Sequence, residues 1–156
     1  MLKKVKRNSI RAAEAVFAIV ASRYNARYVD AMLQAATAEL KRARAKSIQV
    51  IRVPGAYEIP VVAARLAREG SVSAIVCLGV IIRGETAHAA HIGEAVSQAL
   101  MQIQLRYEVP VIHEVLLLDN EEQARVRCLG RKHNRGVEAA QTALEMARVM
   151  KKLSLE

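Results

Sequence analysis

A chain of 156 residues is long enough for one domain with a core of its own, and 53% hydrophobic composition supplies that core, but only 3% of the residues are aromatic and none is Trp. The interior is therefore expected to be built from Val, Ile, Leu and Ala, so an aromatic residue at a strand end stands out. The formal charge of +9 is spread over the chain without an aromatic-interleaved RNA-binding signature, the apolar runs are too short to cross a bilayer, and Cys77 and Cys128 show no CxxC spacing, which sets aside nucleic-acid binding, membrane insertion and a disulfide framework.

Residues 1–14 read as a basic arm; Glu14 interrupts the apolar stretch that follows and no signal-peptide cleavage pattern is present, so a cytoplasmic location is expected. The first strand is expected over 15–21 (AVFAIVA), followed by the loop SRYN and a helix over 26–43 with Asn25 as its N-cap. A second strand over 48–53 (IQVIRV) ends on Pro54-Gly55 and leads to a helix over 59–68, stopped by Gly70. The third strand, 73–81, breaks at Arg83-Gly84-Glu85-Thr86 into a helix over 86–107. A fourth strand over 110–118 is followed by a helix over 121–127, capped at Asp119-Asn120, and a closing helix over 134–152. Residues 15–152 form the single domain, and the tail 153–156, ending in SLE, reads as partly vector-derived. The strands are continuously apolar rather than alternating, as strands covered on both faces are. Their order predicts an α/β fold, a three-layer α/β/α sandwich with a flavodoxin-like four-stranded parallel sheet.

In such folds ligands bind beyond the carboxyl ends of the strands, which is where this sequence departs from plain core. Tyr24 either stacks on a planar ring or simply packs. In VPGAYEIP, Pro-Gly makes a tight turn, Ala56 keeps the backbone approachable, and Glu58 either complements a helix dipole or accepts bonds from a polyhydroxyl ligand. Gly84-Glu85-Thr86 at a helix start offers free N–H groups and a hydroxyl to an anion. No Lys-Ser/Thr pair completes a P-loop and no GxGxxG occurs, so nucleotide binding has no support. His88, placed just inside that helix, is of the residue type that exchanges protons near neutrality. His88 and His91 are spaced to share a helix face as metal ligands, but no further cluster completes a site, and metal is set aside. Arg127 suits either a phosphate or a solvated helix end.

These segments, in this order, resemble the lumazine synthase family over nearly the whole chain; VPGAYEIP and LGVIIRGETAH are the most specific matches, supported by SRYN, EQARVR and NRGVEAA. The resemblance implies condensation of 5-amino-6-(D-ribitylamino)uracil with 3,4-dihydroxy-2-butanone 4-phosphate to 6,7-dimethyl-8-ribityllumazine, phosphate and water, the penultimate step to riboflavin, with neither metal nor organic cofactor. By position it implies that Tyr24, beside Asn25, stacks on the pyrimidine, that Ala56, Tyr57 and Glu58 hold the ribityl chain, and that Val80, Ile81 and Ile82 present backbone groups to the uracil edge. The resemblance likewise implies that Glu85 and Thr86 bind the phosphate, that Arg127 clamps it from a neighbouring subunit, that His88 moves protons, and that Arg135 and Glu138 support the site. It further implies a homopentamer with active sites between subunits, twelve pentamers forming a sixty-subunit shell in some members.

The chain departs from the family at Ala89, Ala90 and His91, where an aromatic, Asp and a second aromatic are usual. His113-Glu114 replaces Phe-Gly, placing His113 on the second side of the ring stack; Leu117-Leu118 replaces Thr-Thr, and Arg135 a common Lys. These departures leave two other readings: a pentameric assembly scaffold, engineered or natural, with little activity, and a flavin- or lumazine-binding protein.

Overall fold

The computed structural model describes residues 3–5 and 10–154. The expected basic arm thus lies partly outside the described residues, at 1, 2 and 6–9, as do 155 and 156 of the expected tail. The elements follow in the order β1 (Val16–Ser22), α1 (Ala26–Arg42), β2 (Ser47–Val53), a single 3-10 turn (Ala56–Glu58), α2 (Ile59–Glu69), β3 (Ala74–Ile82), α3 (His88–Tyr107), β4 (Val111–Leu118), α4 (Glu121–Leu129) and α5 (Arg135–Ser154). All strand pairs are parallel and the sheet order is β2-β1-β3-β4.

The expected three layers are present. One face of the sheet packs Phe17, Ile19, Val76 and Leu78 against α1, α4 and α5; the other packs Val20, Ile75 and Cys77 against α2 and α3. The central strands β1 and β3 are covered on both faces, which is why they read as unbroken apolar runs, while edge strand β2 leaves Val50 exposed. Full burial of a side chain such as Phe17 or Leu78 contributes roughly 2 kcal/mol. Burial pushes the thiols of Cys77 and Cys128 up to about 12, so both are packing groups rather than nucleophiles.

Helix α5 crosses α1 at close range: a Cβ on Gly136 would lie 2.1 Å from the Met32 carbonyl oxygen. Between the same helices, Gln141 donates to the buried carboxylate of Glu39, which also takes a bond from Arg42.

Helix ends follow the sequence in part. Asn120 accepts from the Gln123 amide at 2.9 Å, and Gly70 closes α2 with φ 70°. Asn25, expected to cap α1, makes no capping bond; its backbone is left-handed and its side chain is spent elsewhere, as described below. Helix α3 starts at His88 rather than at 86, because Glu85 and Thr86 form a bend ahead of it. Helix α5 starts one residue later than expected and runs on through Ser154; Asn134 stays outside it, accepting from the Gly136 amide at 2.8 Å and donating to the Cys128 carbonyl at 2.8 Å.

A candidate active site at the switch point of the sheet

The sheet reverses its winding between β1 and β3, and there the strands are unequal. Pairing with β1 ends at Ala21 opposite Leu78, whereas β3 continues to Ile82 and stays paired with β4 as far as Leu118. The β1-facing backbone of residues 79–82 is therefore left open beyond the end of β1. Peptide groups alternate sides along a strand, and the amides of Ile75 and Arg83 donate toward β4, to Pro110 and Leu118. By that parity Val80 and Ile82 face the open side and Ile81 does not: the Ile81 backbone is taken up by the β4 ladder, unlike the role expected for it from the sequence. The Val80 carbonyl accepts from Asn25 Nδ2 at 2.7 Å. This bond is why Asn25 fails to cap α1: a backbone φ of 57°, tolerated by Asn, turns its amide toward β3.

The neighbouring loops are tied together. The amides of Arg23 and Tyr24 both donate to the Pro54 carbonyl at 3.0 Å, tying the ends of β1 and β2 to each other. Arg52 reinforces this, donating to the carbonyls of Ala21 and Ser22 at 3.2 and 2.9 Å and pairing with Asp30 at 2.8 Å. The Tyr24 ring lies over Gly55: an added Cβ there would meet its Cδ2 at 2.8 Å. Glu58 Oε2 accepts from the Gly55 amide at 2.9 Å, leaving Oε1 without a partner among the described residues. Tyr24 and Tyr57 stand 67% and 64% exposed, a large uncovered aromatic surface in a chain with so few aromatics.

These groups surround a cavity of about 710 Å³ that Tyr24, Asn25, Ala56, Tyr57, Glu58, Val80, Ile81, Ile82 and His88 all line. Helix α3 lines it along one face of its first two turns, with His88, His91, Ile92 and Ala95. The first amide bonded within the helix is that of His91, to the Ala87 carbonyl, and the Thr86 hydroxyl accepts from the His88 amide at 3.4 Å while keeping its own proton to donate. The turn 84–87 is exposed at the mouth, where Glu85 and Thr86 sit outside the cavity lining. Arg83 Nε pairs with Asp119 at 3.0 Å, fixing the ends of β3 and β4 together beneath that turn. His91, Ile92 and Ala95 also line the cavity; for His91 the sequence signal was its three-residue spacing from His88. Among the described residues no group of three or more His, Cys, Asp and Glu is placed to hold a metal ion, and no helix is long and apolar enough to cross a membrane.

The remaining expected residues do not line this cavity; they belong to β4, α4 and α5. On one face of edge strand β4, His113 Nδ1 accepts from the Val115 amide at 3.1 Å, which puts the ring proton on Nε2, 2.7 Å from Ser97 Oγ; that hydroxyl donates on to the Gly93 carbonyl at 2.8 Å. Both ring nitrogens are occupied, loss of water around the ring lowers its pKa, and what remains to offer is its flat face. On the other face of β4, buried Glu114 pairs with Arg135 Nε at 2.8 Å, and Arg135 reaches Glu138 at 2.7 Å. Burial outweighs the ion pair and raises the Glu114 carboxyl to about 7, while Glu114 raises the pKa of Arg135 against the opposing effect of its own burial. The two family departures at Glu114 and Arg135 are thus one paired feature. Half-buried Arg127, in the last turn of α4, has no carboxylate partner among the described residues.

This is a doubly wound parallel α/β domain of flavodoxin-like class, with aromatic faces, a carboxylate, open backbone and an imidazole gathered at its switch point. Residues 14–151 match the family model for 6,7-dimethyl-8-ribityllumazine synthase. A 6,7-dimethyl-8-ribityllumazine synthase of Xanthomonas oryzae pv. oryzae is 42% identical over 146 residues, covering 92% of this chain and 95% of the relative; one of Stenotrophomonas maltophilia is 43% identical over 139 residues, covering 88% and 90%. A solved de novo designed Rossmann-fold protein is 15% identical at a TM-score of 0.35, covering 76% of this chain and 99% of the designed one, and does not bear on the site. The chain belongs to the 6,7-dimethyl-8-ribityllumazine synthase family.

Proposed function

We propose that this protein is a transferase that joins 5-amino-6-(D-ribitylamino)uracil to 3,4-dihydroxy-2-butanone 4-phosphate, giving 6,7-dimethyl-8-ribityllumazine, phosphate and water. Family membership supports the reaction, and one observation carries its location: a single cavity collects Tyr24, Glu58, the open backbone at Val80 and Ile82, and His88. Tyr24 stacks on the pyrimidine, Val80 and Ile82 meet its polar edge, and the unpartnered Glu58 Oε1 accepts from ribityl hydroxyls, with Asn25, Ala56 and Tyr57 shaping that end. Glu85, Thr86 and the free amides opening α3 receive the phosphate.

The amine attacks the ketone carbon and water leaves to form an imine. A proton is removed from C3, the C4–O bond breaks, and phosphate departs with the bonding electrons. The resulting enol takes a proton at C4 to become a methyl ketone, onto which the ribityl nitrogen closes with loss of a second water. His88 moves protons in these steps, and much of the rate comes from holding two reactants in register, which can be worth about 7 kcal/mol or more.

Arg127, His113, Arg135 and Glu138 complete the site from a neighbouring copy in a homopentamer. The reading is supported by the placement of these four residues away from the cavity, by the lack of a carboxylate partner for Arg127, and by the ring face His113 leaves free to close the stack. The test is lumazine absorbance and fluorescence in a mixture of both substrates, followed above the spontaneous rate. Enzyme-dependent product that drops at least tenfold in His88→Ala is expected; an intact oligomer that gives no acceleration would sink the enzymatic reading and leave a scaffold or a binder.

A further inference from the structure

We infer that His91 is a second proton-transfer residue of this site, acting on substrate atoms one helical step from those served by His88. The inference rests on the proposed reaction. His88 and His91 lie three residues apart on α3, a spacing that puts their Cβ atoms about 5–6 Å apart on one helix face, and both line the same cavity. Neither imidazole has a side-chain hydrogen bond to any described residue, in contrast to His113, whose two ring nitrogens are both engaged. Ala87, Ala89 and Ala90 lie between and before them and Ile92 and Ala95 beyond, while the charged groups nearest along the chain are exposed Glu85, three residues before His88, and exposed Glu94, three residues after His91. His91 is therefore neither a packing histidine nor a partner in an internal ion pair. The other titratable groups facing the cavity are Tyr24 and Tyr57, from the loops after β1 and β2, and Glu58, which one carboxylate oxygen anchors to the Gly55 amide.

The chemistry calls for two such groups. In the elimination a base accepts the C3 proton as the C4–O bond breaks, and an acid then delivers a proton to C4 of the enol; in each dehydration a hydroxyl leaves as water with a donated proton while the nitrogen loses one. One imidazole can serve the neighbouring C3 and C4 in turn, but in a dehydration it would have to donate to the leaving hydroxyl and accept from the nitrogen in the same step. Two imidazoles on one face divide the work, one accepting as the other donates, and the pair ends each elimination with the protonation it began with.

The experiment uses the full chain, both natural-type substrates and two substitutions: His91→Gln, which keeps hydrogen bonding without proton exchange, and His91→Ala. Steady-state rates are measured from about pH 5.5 to 9, with oligomer size and circular dichroism as folding controls. Expected are a fall in kcat of about tenfold to a hundredfold with KM for each substrate within about twofold, loss of one limb of the pH profile, and partial recovery of His91→Ala by added imidazole. Wild-type turnover with kcat unchanged in both folded variants would overturn the role of His91 alone, as would a loss confined to KM. Wild-type protein without turnover would overturn the proposed reaction, and this inference with it.

Discussion

Replacing Glu114 by Gln tests the buried pair at β4. The Gln side chain keeps an acceptor for Arg135 Nε, now 2.8 Å from the carboxylate, but cannot ionise. In the folded protein burial raises the Glu114 pKa from 4.5 to about 7 despite Arg135, so between those values the native state holds a proton that the unfolded chain has lost. Stability from this group is whole below about pH 4.5 and is lost as pH rises through about 7. A shift of that size corresponds to about 3 kcal/mol. Urea denaturation followed by circular dichroism, at one fixed protein concentration because assembly is linked to folding, gives unfolding free energies for both proteins from about pH 4.5 to 8. The wild-type value minus the Glu114→Gln value is expected to fall by about 3 kcal/mol across that window and then level off. A difference that stays flat within about 0.5 kcal/mol, or that rises with pH, would refute the balance of burial over pairing, since a dominant ion pair lowers the carboxyl pKa and reverses the slope.

Gly136→Ala places a methyl group 2.1 Å from the Met32 carbonyl oxygen, a backbone atom that yields only if α5 moves off α1; a loss of about 2 kcal/mol or more is expected from the urea midpoint. Gly55→Ala pushes against the Tyr24 ring at 2.8 Å, and because that ring is 67% exposed it swings away at little cost to stability. The expected signature is KM for the ribitylaminouracil about tenfold higher, equivalent to about 1.4 kcal/mol, with KM for the butanone phosphate unchanged; equal shifts in both would contradict a ring-specific role. If Arg127 clamps the phosphate as proposed, Arg127→Ala removes a charge-assisted contact worth about 2 kcal/mol and raises KM for the butanone phosphate by about thirtyfold, and Arg127→Lys recovers only part because it loses the forked geometry.

The sequence by itself determined the element order, the parallel two-faced character of β1 and β3, and the strand-end segments that meet at the cavity, because periodicity, continuous apolar runs, Gly70 and Asn120 act over a few residues. Tertiary structure decided which groups of those segments meet. Only the register of β3, running four residues past its pairing with β1, opens the backbone at Val80 and Ile82 and consigns Ile81 to β4. Asn25 looked like a helix cap, but its amide goes 55 positions along the chain to Val80; Glu114 and Arg135, two separate oddities in the sequence, are one ion pair 21 residues apart. His91 lines the cavity, whereas Arg127 and His113 do not. Local preference fixes where a strand or helix forms; which polar groups meet depends on sheet register and close approach between elements distant in sequence, and no short-range pattern encodes that.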